Sequence, residues 1–155
     1  MCGLVGIYSS KPVAAELYDG LIHLQHRGQD AAGIITYKNR MHKSKGSGFV
    51  RDIFTDKKIA RLKGNIGIAH NRYPTHGGFG HGEVQPFWTS VPYGIALAHN
   101  GNLTNYNELS KMIKNSEDRY LKPQSDTEVL LHLFADTLHK KQQPDSDDEF
   151  FENWR

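Results

Sequence analysis

The strongest constraint on how this chain folds sits at its start. Leu4 to Ser9 is an apolar run rich in β-formers, bounded by Gly3 and by Lys11-Pro12. A run of that length between breakers reads as a buried strand. A strand that begins almost at the first residue ties the N-terminus into a sheet and sets Cys2 at the strand tip. A small residue after the initiator methionine is the usual condition for its removal, which leaves Cys2 with a thiol and a free α-amino group. The amine titrates near ~8 and the thiol near ~8.5, so at neutral pH the amine can take up the thiol proton directly or through a water. No His or Asp partner is then required. The competing reading is a small buried residue at the start of a strand.

Composition narrows the class of protein without naming it. With 155 residues, 37% of them apolar, the chain supplies one ordinary core. Its net charge of +2 is spread over 19 basic and 17 acidic residues, so it carries no electrostatic footprint for nucleic acid or an anionic membrane. The apolar runs are strand-sized, short of the ~20 residues of a membrane span. No basic segment followed by an apolar one opens the chain, which reads as cytosolic and untargeted. Cys2 is the single cysteine, which excludes an internal disulfide framework. Without a second Cys or an HExxH there is no zinc set among the nine histidines.

Further along, Ala14, Leu17, Tyr18, Leu21, Ile22 and Leu24 recur at three and four, which predicts one amphipathic helix over Val13 to His26, with Gly28 as a left-handed cap. Gly33 to Lys38 reads as a second strand. Ile59 and Leu62 fall on a short helix after Thr55, and Ile66 and Ile68 on a strand running into Arg72. Pro74 to Trp88, with Gly77, Gly78, Gly80 and Gly82, suits a flexible loop. Tyr93 to His99 returns to strand and ends at Asn100-Gly101. Tyr106, Leu109, Met112 and Ile113 mark a helix. Ser125-Asp-Thr-Glu128 is a capping box that opens another, with Val129, Leu130, Leu133, Phe134 and Leu138 behind it. After the polar stretch Lys140 to Pro144, a second capping-box spacing, Ser146 to Glu149, leads into Phe150, Phe151 and Trp154. That short aromatic helix needs partners the sequence does not encode, so the fold is expected to be incomplete at its C-terminal end. Lys45-Gly-Ser-Gly48 and Gly78-Phe-Gly-His-Gly82 lack the ending and context of phosphate loops, and no nucleotide site is read.

Six spaced words then carry a resemblance: Met1-Cys-Gly-Leu-Val-Gly-Ile7, Leu24-Gln-His-Arg-Gly-Gln-Asp-Ala-Ala-Gly-Ile34, His70-Asn-Arg-Tyr-Pro-Thr-His76, Gln85-Pro-Phe87, His99-Asn-Gly-Asn-Leu103 and Ser125-Asp-Thr-Glu128. In this order they resemble the class II glutamine amidotransferases over nearly all of Met1 to Leu138. The resemblance implies an α+β fold of the N-terminal nucleophile hydrolase type, a four-layer αββα sandwich. It makes residues 1–155 the N-terminal part of a glutaminase domain. Gln-Asp-Ala-Ala-Gly and Pro-Tyr-Gly are similar to the purine-synthesising branch, whose phosphoribosyltransferase domain is absent from this chain and uses phosphoribosyl pyrophosphate with magnesium. No cofactor is implied for the glutaminase domain itself. His76 looks more like the aminosugar-synthesising branch, which is the alternative. A catalytically silent truncated fragment is a further one.

Carried over residue by residue, Cys2 resembles the nucleophile that attacks the side-chain amide of L-glutamine. Asn100 and Gly101 resemble the oxyanion hole, supplying a side-chain amide and a backbone N–H. Arg72 resembles the clamp on the α-carboxylate, a task suited to a planar guanidinium, and Asp126 the partner of the α-ammonium group. Tyr73, Thr75 and His76 belong to the segment that in this family closes over glutamine, while Arg27 and Gly28 shape the pocket wall. Each has a plainer alternative: Asn100-Gly101 as a hairpin turn, Arg72 as a solvated arginine at a strand end, Asp126 as a helix-start carboxylate, Gly28 as a helix cap. His70, His76, His81 and His99 are disfavoured as metal ligands or as a Cys-His pair, because the α-amine already fills the base role. Neither nucleic acid nor membrane is an expected partner, and the full-length protein is expected to be a cytoplasmic homo-oligomer.

Overall fold

The computed structural model describes residues 2–73, 84–116 and 125–140. The first strand is where the sequence puts it: β1 spans Gly3–Tyr8 and is followed by helix α1, Ala14–His23, and a single 3-10 turn, Gln25–Arg27. Strands β2 (Ala31–Lys38) and β3 (Arg40–Ser47) form a hairpin about Asn39, whose φ of 60° gives the tight reversal. Asparagine is among the few non-glycine residues that tolerate the left-handed region. Two short helices, α2 (Val50–Ile53) and α3 (Asp56–Ile59), precede β4 (Ile66–Arg72). Strands β5 (Phe87–Thr89) and β6 (Ile95–Leu97) and helices α4 (Tyr106–Ser116) and α5 (Asp126–Lys140) complete the described elements.

The strands form two antiparallel sheets. The larger has the order β1-β4-β2-β3, and the smaller pairs β5 with β6. Side chains alternate across a strand, so the register sorts them into two faces. Gly33 pairs with His70 and with Lys45, and His70 pairs with Leu4. These residues share one face of the large sheet, and the β5–β6 sheet lies on it: the Lys45 ammonium donates to the Val84 carbonyl at 2.9 Å, and Lys43 Nζ lies 3.0 Å from the centre of the Trp88 ring. The opposite face is covered by α1. There Leu17 and Leu21, fully buried, meet Ala32, Ile34 and Ala69, with Val50, Ile53 and Phe54 at the edge. Burying each leucine contributes about 1.5–3 kcal/mol. Helix α5 packs on β5 and β6 and also against α4. The layers therefore run helix, sheet, sheet, helix, the αββα order expected. β2 is buried over its first six residues because both its faces are covered.

Several local expectations are corrected. Gly28 is not a left-handed cap: its φ of −164° and ψ of 125° are extended. What it requires is room, since a Cβ there would meet the Arg72 carbonyl carbon and oxygen at 2.7 Å. Strand β3 was not legible, because Arg40-Met-His-Lys-Ser-Lys-Gly-Ser47 lacks apolar alternation. It is an edge strand, where charge is tolerated and guards against edge pairing. The 74–88 segment is not all loop, since β5 occupies Phe87–Thr89. Met112 faces solvent while Ile113 is buried, and on α5 the buried apolar residues are Val129, Leu131, Ala135 and Leu138, with Phe134 exposed. Two neighbours, α4 on one side and a sheet on the other, widen and rotate the buried face of that helix. The second capping-box helix at 146–155 lies outside the described residues.

Candidate active site

The site forms where β1 begins and β4 ends. Antiparallel pairing sets Gly3 opposite Asn71, which brings Cys2 beside the residue that follows Arg72. The Tyr73 backbone N–H donates to Cys2 Sγ at 3.4 Å. The thiol in turn lies 3.9 Å from the Tyr73 carbonyl. Cys2 is partly exposed and so open to a substrate. From the small sheet, Asn100 reaches across and its Nδ2 donates to the Cys2 carbonyl at 3.3 Å. One amide hydrogen is left for a second acceptor. Among the described residues no acceptor takes the Gly101 N–H. Asn100 and Gly101 thus present two adjacent donors where the chain reaches the Cys2 backbone. Asn100-Gly101 is no hairpin turn, because the chain leaves it for α4. Gly101 is needed for space: a Cβ there would run into the His99 ring.

Arg72 is not a solvated end-of-strand arginine. It is 9% exposed, and its Nη1 donates to Asp30 Oδ2 at 2.8 Å in an ion pair shielded on both sides. The backbone reinforces the same junction, with Asp30 N–H donating to the Arg72 carbonyl at 3.2 Å. Gly28 lies against that carbonyl, and Gln25 braces the turn, donating to the Gly28 carbonyl at 2.9 Å and accepting from Val50 N–H at 2.8 Å. Gly28 is thereby fixed against the Arg72 backbone, one residue after Arg27.

Asp126 opens α5, where Ser125 Oγ accepts the Glu128 N–H at 3.3 Å, one arm of the expected capping box. Its carboxylate accepts the Leu103 N–H at 3.3 Å and lies 3.8 Å from His99 Nδ1, tying α5 to the strand end that carries Asn100. The Tyr73 side chain is half exposed, so near the sulfur it contributes backbone. Thr75 and His76 lie outside the described residues, as does His81.

Asp30 and Gln85 escaped the sequence reading, and a third residue, His70, was weighed there only as a metal ligand or a base. His70 is 1% exposed, and its Nε2 lies 2.9 Å from Asn100 Oδ1. Burial pushes its pKa down to about 4, against a hydrogen bond to Asn100 that raises it and with smaller lowering contributions from the neighbouring Arg72, His99 and Lys45. His70 is thus a neutral donor and no base for Cys2. All three lie inside recognisable words, yet their partners are 42, 30 and 14 residues away, and one sequence carries no signal for such pairings. Among the described residues no group of three metal-ligating side chains comes together. A separate hollow of about 960 Å³, lined by Lys38, Arg40, Lys43, Arg61 and Lys63 among others, sits at the other end of the β2–β3 hairpin.

With this geometry in hand, comparison with known proteins is direct. Residues 38–142 match the glutamine amidotransferase domain family, and the chain belongs to that family. Within it, the chain is 50% identical over 153 residues to an amidophosphoribosyltransferase of Pseudomonas aeruginosa, covering 97% of this chain and 30% of that protein. It is 47% identical over 157 residues to the enzyme of the same name from Saccharomyces cerevisiae, covering 97% and 31%. Among solved structures, one described as the allosteric regulatory enzyme of purine biosynthesis superposes with a TM-score of 0.80 at 34% identity, over 96% of this chain and 31% of the other. A glutamine phosphoribosylpyrophosphate amidotransferase from B. subtilis, complexed with ADP and GMP, gives 0.76 at 32% identity, again over 96% and 31%. The chain spans about 30% of the length of the relatives it matches.

Proposed function

We propose that this chain is the glutamine-hydrolysing part of an amidophosphoribosyltransferase, and that Cys2, freed by loss of Met1, is its nucleophile. The observation that carries the reading is the convergence at Cys2: the Tyr73 N–H on its sulfur and the Asn100 carboxamide on its carbonyl, with Gly101 following Asn100 and its N–H taken by no acceptor among the described residues. The thiol proton passes to the α-amine. The thiolate attacks the side-chain amide carbon of glutamine, and the charge formed on oxygen is met by Asn100 Nδ2 and Gly101 N–H. Collapse breaks the C–N bond, the amine returns its proton to the departing nitrogen, and ammonia leaves a γ-glutamyl thioester that water resolves to glutamate. Arg72 holds the α-carboxylate and Asp126 the α-ammonium group. Tyr73, Thr75 and His76 close the site.

In the whole protein the ammonia attacks phosphoribosyl pyrophosphate to form 5-phosphoribosylamine, the first step of de novo purine synthesis, and magnesium belongs with the pyrophosphate there. The high identity to amidophosphoribosyltransferases favours that acceptor over an aminosugar one. The expected setting is a cytoplasmic homo-oligomer. Among the described residues no helix is long and apolar enough to cross a membrane.

The test is covalent labelling. A thiol-directed diazoketone analogue of glutamine added to the full-length protein should modify Cys2 and only after Met1 removal, and Cys2→Ala should abolish both labelling and glutaminase activity while ammonia-dependent synthesis survives. Labelling at another residue, or equal labelling with Met1 retained, overturns the reading.

A further inference from the structure

We infer that His70 and Gln85 are positioning residues that build the oxyanion hole, one by orienting the Asn100 carboxamide and the other by locking the backbone that presents it. The inference rests on the glutaminase reading above and assigns a task to two residues outside the substrate contacts.

The first contact is directional. His70 leaves β4 on the face that meets the small sheet, and its Nε2 sits 2.9 Å from Asn100 Oδ1. Asn100 Nδ2 already donates to the Cys2 carbonyl. Turning the carboxamide over would aim its oxygen at that carbonyl, two acceptors face to face, so only one orientation satisfies both neighbours. For that orientation His70 must carry its proton on Nε2. Its Nδ1 is buried and has no hydrogen-bond partner among the described residues, so the second proton of an imidazolium would be an unsatisfied donor. A neutral imidazole thus holds Oδ1, and the second Nδ2 hydrogen stays available for the charge that develops on the substrate oxygen. A carboxamide at a strand end has two freely rotating bonds, and an oxyanion donor is effective only when held in place beforehand.

The second contact secures the backbone. Phe87 pairs with Leu97, so Gln85 stands opposite His99 two residues further along the ladder. There the ladder is completed by a side chain: Gln85 Oε1 accepts the His99 N–H at 2.7 Å and its Nε2 donates to the His99 carbonyl at 3.2 Å. Both backbone groups of the residue before Asn100 are thereby held. Gln85 is itself pinned, because its carbonyl abuts Gly33 at a spot where any Cβ would collide. The Gln85-Pro-Phe87 word, which marked the resemblance without a residue role, becomes the support of the oxyanion strand, and Gly33 is the residue that admits it.

The test is a double-mutant cycle in full-length, Met1-processed enzyme. His70→Phe keeps the ring's bulk and removes the hydrogen bond, and His70→Gln restores a neutral N–H donor of similar reach. We expect His70→Phe to lower glutamine kcat about 10- to 100-fold, below the ~10²–10³-fold cost of deleting an oxyanion donor outright, with KM changed less than threefold and ammonia-dependent activity intact. His70→Gln should recover at least tenfold of that loss. In an Asn100→Ala background, His70→Phe should cost less than twofold more, since the group it positions is gone. Gln85→Leu should show the same kcat-selective loss, with Gln85→Glu, which keeps only the acceptor, between it and wild type. Losses at His70 and Asn100 that multiply independently, or equal loss of glutamine and ammonia activities, overturn the inference. Glutaminase activity that survives Cys2→Ala would instead bring down the functional reading beneath it.

Discussion

At the scale of single residues, the proposed carboxylate clamp Arg72 is held in place by Asp30. A guanidinium at 9% exposure is held by one carboxylate at 2.8 Å, and removing a partner from a shielded pair leaves an uncompensated charge, a loss of roughly 3–5 kcal/mol when burial is complete. Substituting Asp30→Asn keeps the shape and frees Arg72 to swing from its place. The expected outcome is a rise in glutamine KM of about tenfold or more with ammonia-dependent activity retained, measured by steady-state kinetics with each nitrogen donor. A fall of both activities together would mean that the pair only supports the fold. Arg72 could be picked out from its word, but Asp30 could not be assigned to it, because 42 residues separate them and only the pairing of β2 with β4 closes the gap.

Elements were read unevenly, and the reasons are physical. α1 announces itself because it buries one clean face and period 3.6 survives in the sequence, and β1 and β4 read as short runs of β-formers. β2, covered on both sides, reads as an unbroken apolar run. β3 is an exposed edge and has no pattern to read. On α5 the cap was legible and the buried face was not: Ser125 caps the helix as expected, yet the choice of Leu131 and Ala135 over Phe134 depends on which neighbours surround it. Removing the cap by Ser125→Ala should cost about 0.5–2 kcal/mol, seen as a lower urea midpoint without a change in slope. Because α5 carries Asp126, whose carboxylate accepts the Leu103 N–H, the same variant should also weaken glutamine binding.

For the molecule as a whole, the two sheets are joined across a polar contact, and this makes stability sensitive to acid. His70 sits between them with its pKa lowered to about 4 from 6.5, so the unfolded chain binds its proton more readily than the folded one. Its contribution is fully present above pH 6.5 and is lost as pH falls toward 4, to a limit of about 3 kcal/mol. Urea unfolding between pH 7 and pH 4.5 should show that loss, and His70→Gln, which cannot titrate, should flatten this part of the profile. An unchanged slope in the variant would assign the acid sensitivity to other groups.

What the amino-acid sequence determined by itself is local or repeated at fixed spacing: a first strand that anchors Cys2, an amphipathic first helix, a capped last one, and six words whose order marks the family. These depend on neighbours within a few residues, and a linear reading recovers them. What only the tertiary structure decided is which distant groups meet. Gly28 and Gly33 are small because the backbone of a distant segment passes against each of them, Arg72 is held by Asp30, and His70 and Gln85 close on the strand end that bears Asn100. Those contacts come from the stacking of two sheets, which places side chains in one gap by register and face, and no spacing along the chain encodes that.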